Sequence, residues 1–204
     1  MKPILSQHDF YTRQARADHY PARSVYKLQE IDKEFGLVKK GDKVLDLGAA
    51  PGSWLIFLSD RVGKSGKVVG IDMVDLPAVR QGLKIDLPCN AVFIKKDVLG
   101  GDLFALPELH EKYNLVVSDL APHTTGVHFK DAADSLELSK RALEIAKNIL
   151  EEGGHFVCKI FEGEGVVEFI KEVGKYFKIF KRFRPKAVRK GSKEFYLVAK
   201  NYES

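Results

Sequence analysis

Short apolar runs alternate along this chain with longer segments in which apolar residues recur every three or four positions. The runs are Lys43–Leu47, Lys67–Ile71, Ala91–Ile94, Leu115–Ser118, His155–Ile160 and Phe195–Ala199. Each is short and rich in β-branched or aromatic side chains, the pattern of strands buried on both faces of a mainly parallel sheet. Between them, amphipathic stretches near Ser53–Arg61, Leu103–Glu111, Asp131–Glu151 and Gly165–Gly174 predict helices. The longest sets Leu136, Leu143, Ala146 and Leu150 on one stripe, and Gly153-Gly154 predicts its stop. A further helix is expected over Ala22–Phe35, with Leu28, Ile31 and Phe35 spaced to pack onto the sheet. So short a helix is marginal in isolation and is expected to fold against the rest.

Alternating strand and helix implies a doubly wound α/β fold that binds ligands at the carboxyl ends of its strands. Tyr176–Phe183 and Phe195–Ala199 have only a basic loop between them, which predicts an antiparallel edge pair. The 204 residues suit a single domain, with residues 1–36 as a basic helical extension packed on it. There is no internal repeat. No apolar run approaches the roughly 20 residues of a membrane span, and Met1–Gln7 lacks the apolar stretch of a signal peptide. Cys89 and Cys158 are too few for a disulfide framework, and neither they nor the six histidines show metal-ligand spacing. A cytoplasmic, metal-free monomer is expected.

Charge alters this picture. The net charge is +5, but Lys178, Lys181, Arg182, Arg184, Lys186, Arg189, Lys190 and Lys193 follow one another without an acidic residue. Arg13, Arg16, Arg23 and Lys27 add a second cluster near the start. Clustered cations attract polyanions through counterion release, so nucleic acid is the expected partner, with a merely solvated basic face as the other reading.

Candidate chemistry gathers at the strand ends. The first strand runs into Asp46-Leu47-Gly48-Ala49-Ala50-Pro51-Gly52-Ser53-Trp54, a turn where Gly48 and Gly52 let backbone approach a ligand. Ala50 replaces a middle glycine and Pro51 lacks an N–H donor, which argues against a pyrophosphate-bearing dinucleotide. Asp72 ends the next strand, placed to accept hydrogen bonds from a ribose diol. Lys95-Lys96-Asp97-Val98 follows the third, with Asp97 within reach of an adenine amino group, and Ser118-Asp119-Leu120-Ala121-Pro122 ends the fourth. Any one of these has a duller reading as a turn or a helix cap; four in register on one edge do not. Trp54 reads equally as core or as part of the ligand wall.

The turn from Asp46 to Trp54, with Ser118-Asp119-Leu120-Ala121-Pro122-His123-Thr124-Thr125-Gly126, resembles the FtsJ/RrmJ-like ribose 2′-O-methyltransferases, and the resemblance runs from about Asp18 to Lys200. It implies a Rossmann-like methyltransferase fold, a mostly parallel seven-stranded sheet with an antiparallel edge strand and helices on both faces. It also implies S-adenosylmethionine as cofactor, held around Gly48, Ala50, Gly52, Trp54, Asp72, Asp97, Val98 and Asp119. Strand-end logic places Asp119 and Lys159 on the reactive edge independently of it. The family's Lys-Asp-Lys-Glu tetrad maps onto Lys27, Asp119, Lys159 and Glu194; without the resemblance Lys27 and Glu194 read as surface charges. A ribose 2′-hydroxyl is a weak nucleophile and needs a base or a polarising group. Whether Lys159 takes its proton or, as a cation, steers the hydroxyl and stabilises the developing oxyanion is left open.

The implied substrate is RNA, foremost a uridine of large-subunit ribosomal RNA; the tRNA anticodon loop, a catalytically idle RNA-binding protein and a small-molecule methyltransferase are the alternatives. Both basic segments are expected to line one RNA groove, with Phe183 and Tyr196 as stacking surfaces if they are not core. His123 reads as a loop surface residue or an RNA contact. Ala187 and Val188 stand where the family commonly has hydroxyl residues.

Overall fold

The computed structural model describes residues 7–80 and 82–204. Helices α1 (Gln7–Ala17) and α2 (Val25–Phe35) precede strand β1 (Lys43–Leu47), helix α3 (Ser53–Val62) and strand β2 (Lys67–Asp72). A small hairpin, β3 (Val79–Arg80) and β4 (Leu83–Lys84), leads to β5 (Ala91–Lys95) and β6 (Tyr113–Ser118). Helix α4 (His128–Ile149), strand β7 (Leu150–Phe161), helix α5 (Val166–Val173) and strands β8 (Phe177–Phe183) and β9 (Glu194–Tyr202) complete the chain. The main sheet has the order β5-β2-β1-β6-β7-β9-β8, parallel from β5 to β7 and antiparallel where β9 joins β7 and β8. The expected seven-stranded sheet and antiparallel edge are both present.

Successive side chains of a strand face opposite sides of the sheet, and here each side has its own core. Leu45, Leu47, Val116, Phe156, Cys158 and Leu197 pack beneath α4 and α5. Val44, Val117, Val157, Tyr196 and Val198 pack beneath α2 and α3. The parity matters for function: Asp46, Asp119, Lys159 and Glu194 share the odd-or-even phase of this second set and so face α2.

Two expectations need correction. The segment Leu103–Glu111 forms two 3₁₀ turns, Leu103–Ala105 and Pro107–His110. Pro107 has no N–H to donate and holds Leu106 in extended backbone, which breaks an α-helix there. The long helix does not run to Gly153-Gly154; it ends at Ile149, and the chain passes straight into β7. Between the pairs Tyr113–Leu150 and Leu115–His155 the longer strand makes a bulge, and Gly153, at φ 80°, takes its left-handed turn. The two glycines thus serve a bulge and not a cap. The hairpin β3–β4 is an added element, since its strands have too few residues to show a period. Residues 1–6, including most of the segment read for a signal peptide, lie outside the described residues. Among the described residues no helix is long and apolar enough to cross a membrane.

Helix α2 is anchored by Asp32, which is buried near its end. One carboxylate oxygen accepts the N–H groups of Leu37 and Val38 at 3.0 Å each, and the other meets the Arg61 guanidinium of α3 at 3.0–3.1 Å. Gly36, at φ 60°, closes the helix by donating to the Asp32 carbonyl at 2.8 Å. Replacing Asp32 by alanine strands two buried donors, and a loss of about 2–4 kcal/mol is expected. Thermal unfolding of Asp32→Ala checks this, with a fall in Tm on the order of 10 °C.

Candidate active site

The carboxyl ends of β5, β2, β1 and β6 surround a cavity of about 470 Å³. It lies where strand order reverses on either side of β1, the place where doubly wound sheets bind ligands. Gly48, Ala50, Asp72, Asp97, Val98 and Asp119 all line it, and so does His123. Gly52 and Trp54 do not. Gly52 adopts φ 102° at the start of α3. Trp54 is buried behind the site, its indole N–H donating to the Ser24 carbonyl at 2.9 Å and its ring 6.0 Å from that of Tyr196. It ties α3 to the lead-in of α2 and belongs to the core.

Gly48 is required by close approach: at φ 82°, a Cβ there would lie 2.9 Å from the backbone nitrogen of Leu120. The turn it opens has its donors engaged. Gly48 and Ala49 donate to the Ile71 carbonyl, Ala50 to Asp72 Oδ2 at 2.9 Å, and Gly52 to the Ala49 carbonyl at 2.7 Å, while Pro51 has none. A phosphate-binding turn keeps such N–H groups free for the anion, so a pyrophosphate has no cradle here.

The electrostatics favour a cation instead. Asp46 of β1 is fully buried, neither carboxylate oxygen has a hydrogen-bond partner, and burial pushes its carboxyl well up, with Asp119 and Asp72 adding to the effect. Asp72 and Asp119 line the cavity, and Asp46 lies sealed behind it. Sequence reasoning missed Asp46 because it reads as the start of a turn. The available signal is an acidic residue inside a run of otherwise buried strand positions, which is rare without a function.

The tetrad assembles on the α2 side of the sheet. Lys159 is only 7% exposed, and its amine donates to Asp119 Oδ1 at 3.0 Å and to the Asp119 carbonyl at 2.5 Å. Lys27 of α2 stands 2.5 Å from Glu194 Oε1 at the start of β9. Tyr196, directly across the ladder from Lys159, donates its hydroxyl to Asp119 Oδ1 at 2.6 Å. Its ring is completely buried and lies under the Lys27 amine at 5.8 Å. Tyr196 is thus closed to RNA bases as a stacking surface. Burial pushes the Asp119 carboxyl up, but Lys159, Lys27 and the Tyr196 hydrogen bond outweigh that and hold it below its ordinary value. Among the described residues no cluster of three His, Cys, Asp or Glu side chains is placed to hold a metal ion.

A second cavity, of about 620 Å³, opens on the other side of the tetrad. Arg23, Lys27, Arg189, Lys190 and Glu194 line it, so parts of both basic segments meet in one cleft. The rest of the basic run has other work. Lys178 pairs with Glu203 at 2.8 Å, Arg182 with Glu162, and Arg184 braces the loop through the carbonyls of Ser192 and Glu194. Ala187 and Val188 are buried against α2, where Glu30 accepts the N–H groups of Lys186 and Ala187 and Arg23 donates to the Ala187 carbonyl. Hydroxyl groups at these two positions would face apolar core.

Comparison with known proteins decides the family. The FtsJ-like methyltransferase family matches residues 20–202. The chain belongs to that family. A Desulfosudis oleivorans protein named ribosomal RNA large subunit methyltransferase E is 44% identical, covering 93% of this chain and 88% of its own length. The protein of the same name from Lawsonia intracellularis is 41% identical over 100% of this chain and 98% of its own. Among solved structures, a Plasmodium falciparum protein described as a ribosomal RNA methyltransferase superposes with a TM-score of 0.76 at 24% identity, over 90% of this chain and 98% of that one. Aeropyrum pernix fibrillarin, solved with natively bound S-adenosyl-L-methionine, gives 0.59 at 19% identity, over 86% and 76%. Both likenesses concern the fold.

The two carboxyls bias stability in opposite directions. The folded FtsJ-like protein holds the Asp46 proton more tightly than the unfolded chain does. Stability is therefore lost as pH rises from the ordinary carboxylate range through the raised value. Asp119, with its folded value lowered, contributes stability above the ordinary range that is lost as pH falls through the folded value. Asp46→Asn is expected to raise Tm at neutral pH and flatten its pH dependence; Asp119→Asn is expected to lower Tm at neutral pH, converging on the wild type in acid. Melting curves from acid to neutral pH measure both, and an Asp46→Asn protein no more stable than wild type at neutral pH would contradict the assignment.

Proposed function

We propose that this protein methylates a ribose 2′-hydroxyl of RNA, with S-adenosylmethionine as methyl donor and large-subunit ribosomal RNA as substrate. The observation that carries the reading is the meeting of two unlike cavities at one Lys–Asp–Lys–Glu cluster. One is lined by carboxylates and lacks a phosphate cradle; the other is lined by cations. The relatives named for large-subunit ribosomal RNA support that substrate over the tRNA anticodon loop.

The residues present fit the cofactor. S-adenosylmethionine, when bound, supplies a methyl group made electrophilic by a sulfonium, and it carries no phosphate. Its cationic groups suit a pocket whose lining includes the carboxylates Asp72, Asp97 and Asp119. Asp72, Asp97 and Val98 would hold the nucleoside, and Gly48, Ala50 and Asp119 the remainder.

On the protein side, the Lys159 amine is aimed by Asp119. Two of its positions are taken by the Asp119 carboxylate and carbonyl. As an ammonium it has one N–H left to hold the 2′-oxygen, and as a neutral amine it has one lone pair left to take the hydroxyl proton. In either state a single direction remains. Asp119 is itself held by Tyr196, so the amine cannot swing without breaking a buried hydrogen bond. The Lys27–Glu194 pair lines the cationic cleft and sets the charge on the RNA side. Burying these groups strengthens each interaction with charge that develops on the oxygen.

Lys159→Ala and Asp119→Ala proteins are expected to stay folded and to lose about 10²-fold or more in methyl transfer to large-subunit ribosomal RNA. A filter assay with methyl-labelled cofactor, with the product nucleotide mapped by mass spectrometry, reads this out; near-normal turnover by either variant would remove the tetrad from the mechanism. Reversing the charge at Arg189 and Lys190 is expected to weaken RNA binding across sequences. The log–log salt slope should fall by about one for each phosphate no longer neutralised, and unchanged affinity would displace the groove.

A further inference from the structure

Beyond the cationic cleft, the hollow in the surface continues along the first turns of α4. Thr124, Phe161 and Ser192 border both the cleft and a recess of about 190 Å³. His128, Ala132, Glu162 and Lys193 carry that recess on into a groove of about 520 Å³. The groove is closely built. A Cβ at Gly163 would lie 2.6 Å from that of Ala132, and one at Gly165 would lie 2.9 Å from Leu136 Cδ2, so glycine lets the loop after β7 close against α4.

On the rim of this groove stands Phe129, 70% exposed. A single exposed ring is unremarkable on most surfaces. This one sits on a turn that is held in place. The Asp131 carboxylate accepts the Thr125 N–H at 2.7 Å, the Thr125 hydroxyl at 2.8 Å and the Gly126 N–H at 3.1 Å. The charge also changes along the path. The cleft beside the tetrad sets Arg23, Lys27, Arg189 and Lys190 against Glu194 alone. In the groove Lys140 and Lys193 are offset by Glu137 and Glu164, and Glu162 is paired with Arg182. Cationic surface suited to phosphates thus gives way to balanced charge and an open aromatic face, as a chain with a charged backbone and neutral planar bases requires.

We propose that Phe129 is a stacking platform for an unpaired base next to the methylated nucleotide, whose phosphates run through the cationic cleft. The inference rests on the RNA reading above and deepens it. Stacking on an exposed aromatic ring needs no particular base, so Phe129 would hold the strand in register and leave sequence recognition to other contacts.

Kinetics, cofactor binding and fluorescence of Phe129→Ala and Phe129→Trp test it, with large-subunit ribosomal RNA as probe both deproteinised and within large subunits that lack the modification. The alanine variant is expected to raise KM for the RNA about 5- to 150-fold, the worth of one base–aromatic stack. Its kcat should stay within about twofold, as should its affinity for S-adenosylmethionine, a needed control because Glu137 borders both the groove and the cofactor cavity. The tryptophan variant should restore KM, and RNA should quench its emission relative to the wild type, whose only tryptophan is buried Trp54. An unchanged KM in the alanine variant, or emission indifferent to RNA in the tryptophan variant, overturns the platform while leaving the proposed function standing. Failure of the wild-type protein to methylate any ribosomal RNA overturns the function itself.

Discussion

The arrangement depends on one buried ion pair. Lys159 and Asp119 stand side by side at the ends of β7 and β6, with Tyr196 of β9 sealing the carboxylate from the third side. A charge taken out of water is costly, and breaking such a pair by removing one partner costs about 3–5 kcal/mol. That cost constrains the topology. Strand β6 must lie beside β7, β9 must return antiparallel on its far side, and α2 must cover the face to which all three side chains point. The register that sets Tyr196 opposite Lys159 also sets Glu194 opposite Phe161, which brings the glutamate to the Lys27 amine. A shift of one residue in β9 would turn both Glu194 and Tyr196 to the wrong face.

Around that pair the molecule separates charge by sign. Carboxyl groups gather under the strand ends, where Asp46 is so buried that its own ionisation is opposed. Cations gather across the tetrad, where Arg23 and Lys27 from the N-terminal elements meet Arg189 and Lys190 from the loop before β9. The carboxylate-lined cavity and the cationic cleft thus differ in sign, and the tetrad is where the two meet. Each member then has a neighbour of opposite sign, Lys159 with Asp119 and Lys27 with Glu194, so the cluster carries no uncompensated charge while the cavities are open to solvent.

Much of this is legible in the sequence, for reasons that differ by residue. Strands buried on both faces show themselves as apolar runs, and a residue ending such a run must lie on the ligand edge; this locates Asp72, Asp97, Asp119 and Lys159. Lys27 and Glu194 sit on a helix and at a strand start amid other charges, where local pattern says nothing, and only the resemblance picks them out. Tyr196 looks like any aromatic of a core strand, because its part depends on a cross-strand partner nearly forty residues away. Trp54 is ambiguous for the same reason. The elements that mislead are those in which one residue overrides a period: Pro107 splitting a helix, and Gly153 turning a supposed helix stop into a strand bulge.

The basic run from Lys178 to Lys193 shows how far charge alone can be taken. As composition it promises one continuous phosphate-binding surface. In the fold, β8 carries its first part along the sheet edge, where lysine and arginine also discourage pairing with a foreign strand, and Lys178 and Arg182 already have acidic partners. Arg184 is engaged by carbonyls of its own loop, and Ala187 and Val188 pin that loop into the core beside α2. Arg189 and Lys190 are what the run contributes to the cationic cleft, and they act there because the two apolar residues before them are anchored. The departure from hydroxyl residues at 187 and 188 therefore takes nothing from the cationic cleft. It is the packing that holds the next two cations at the edge of the active site.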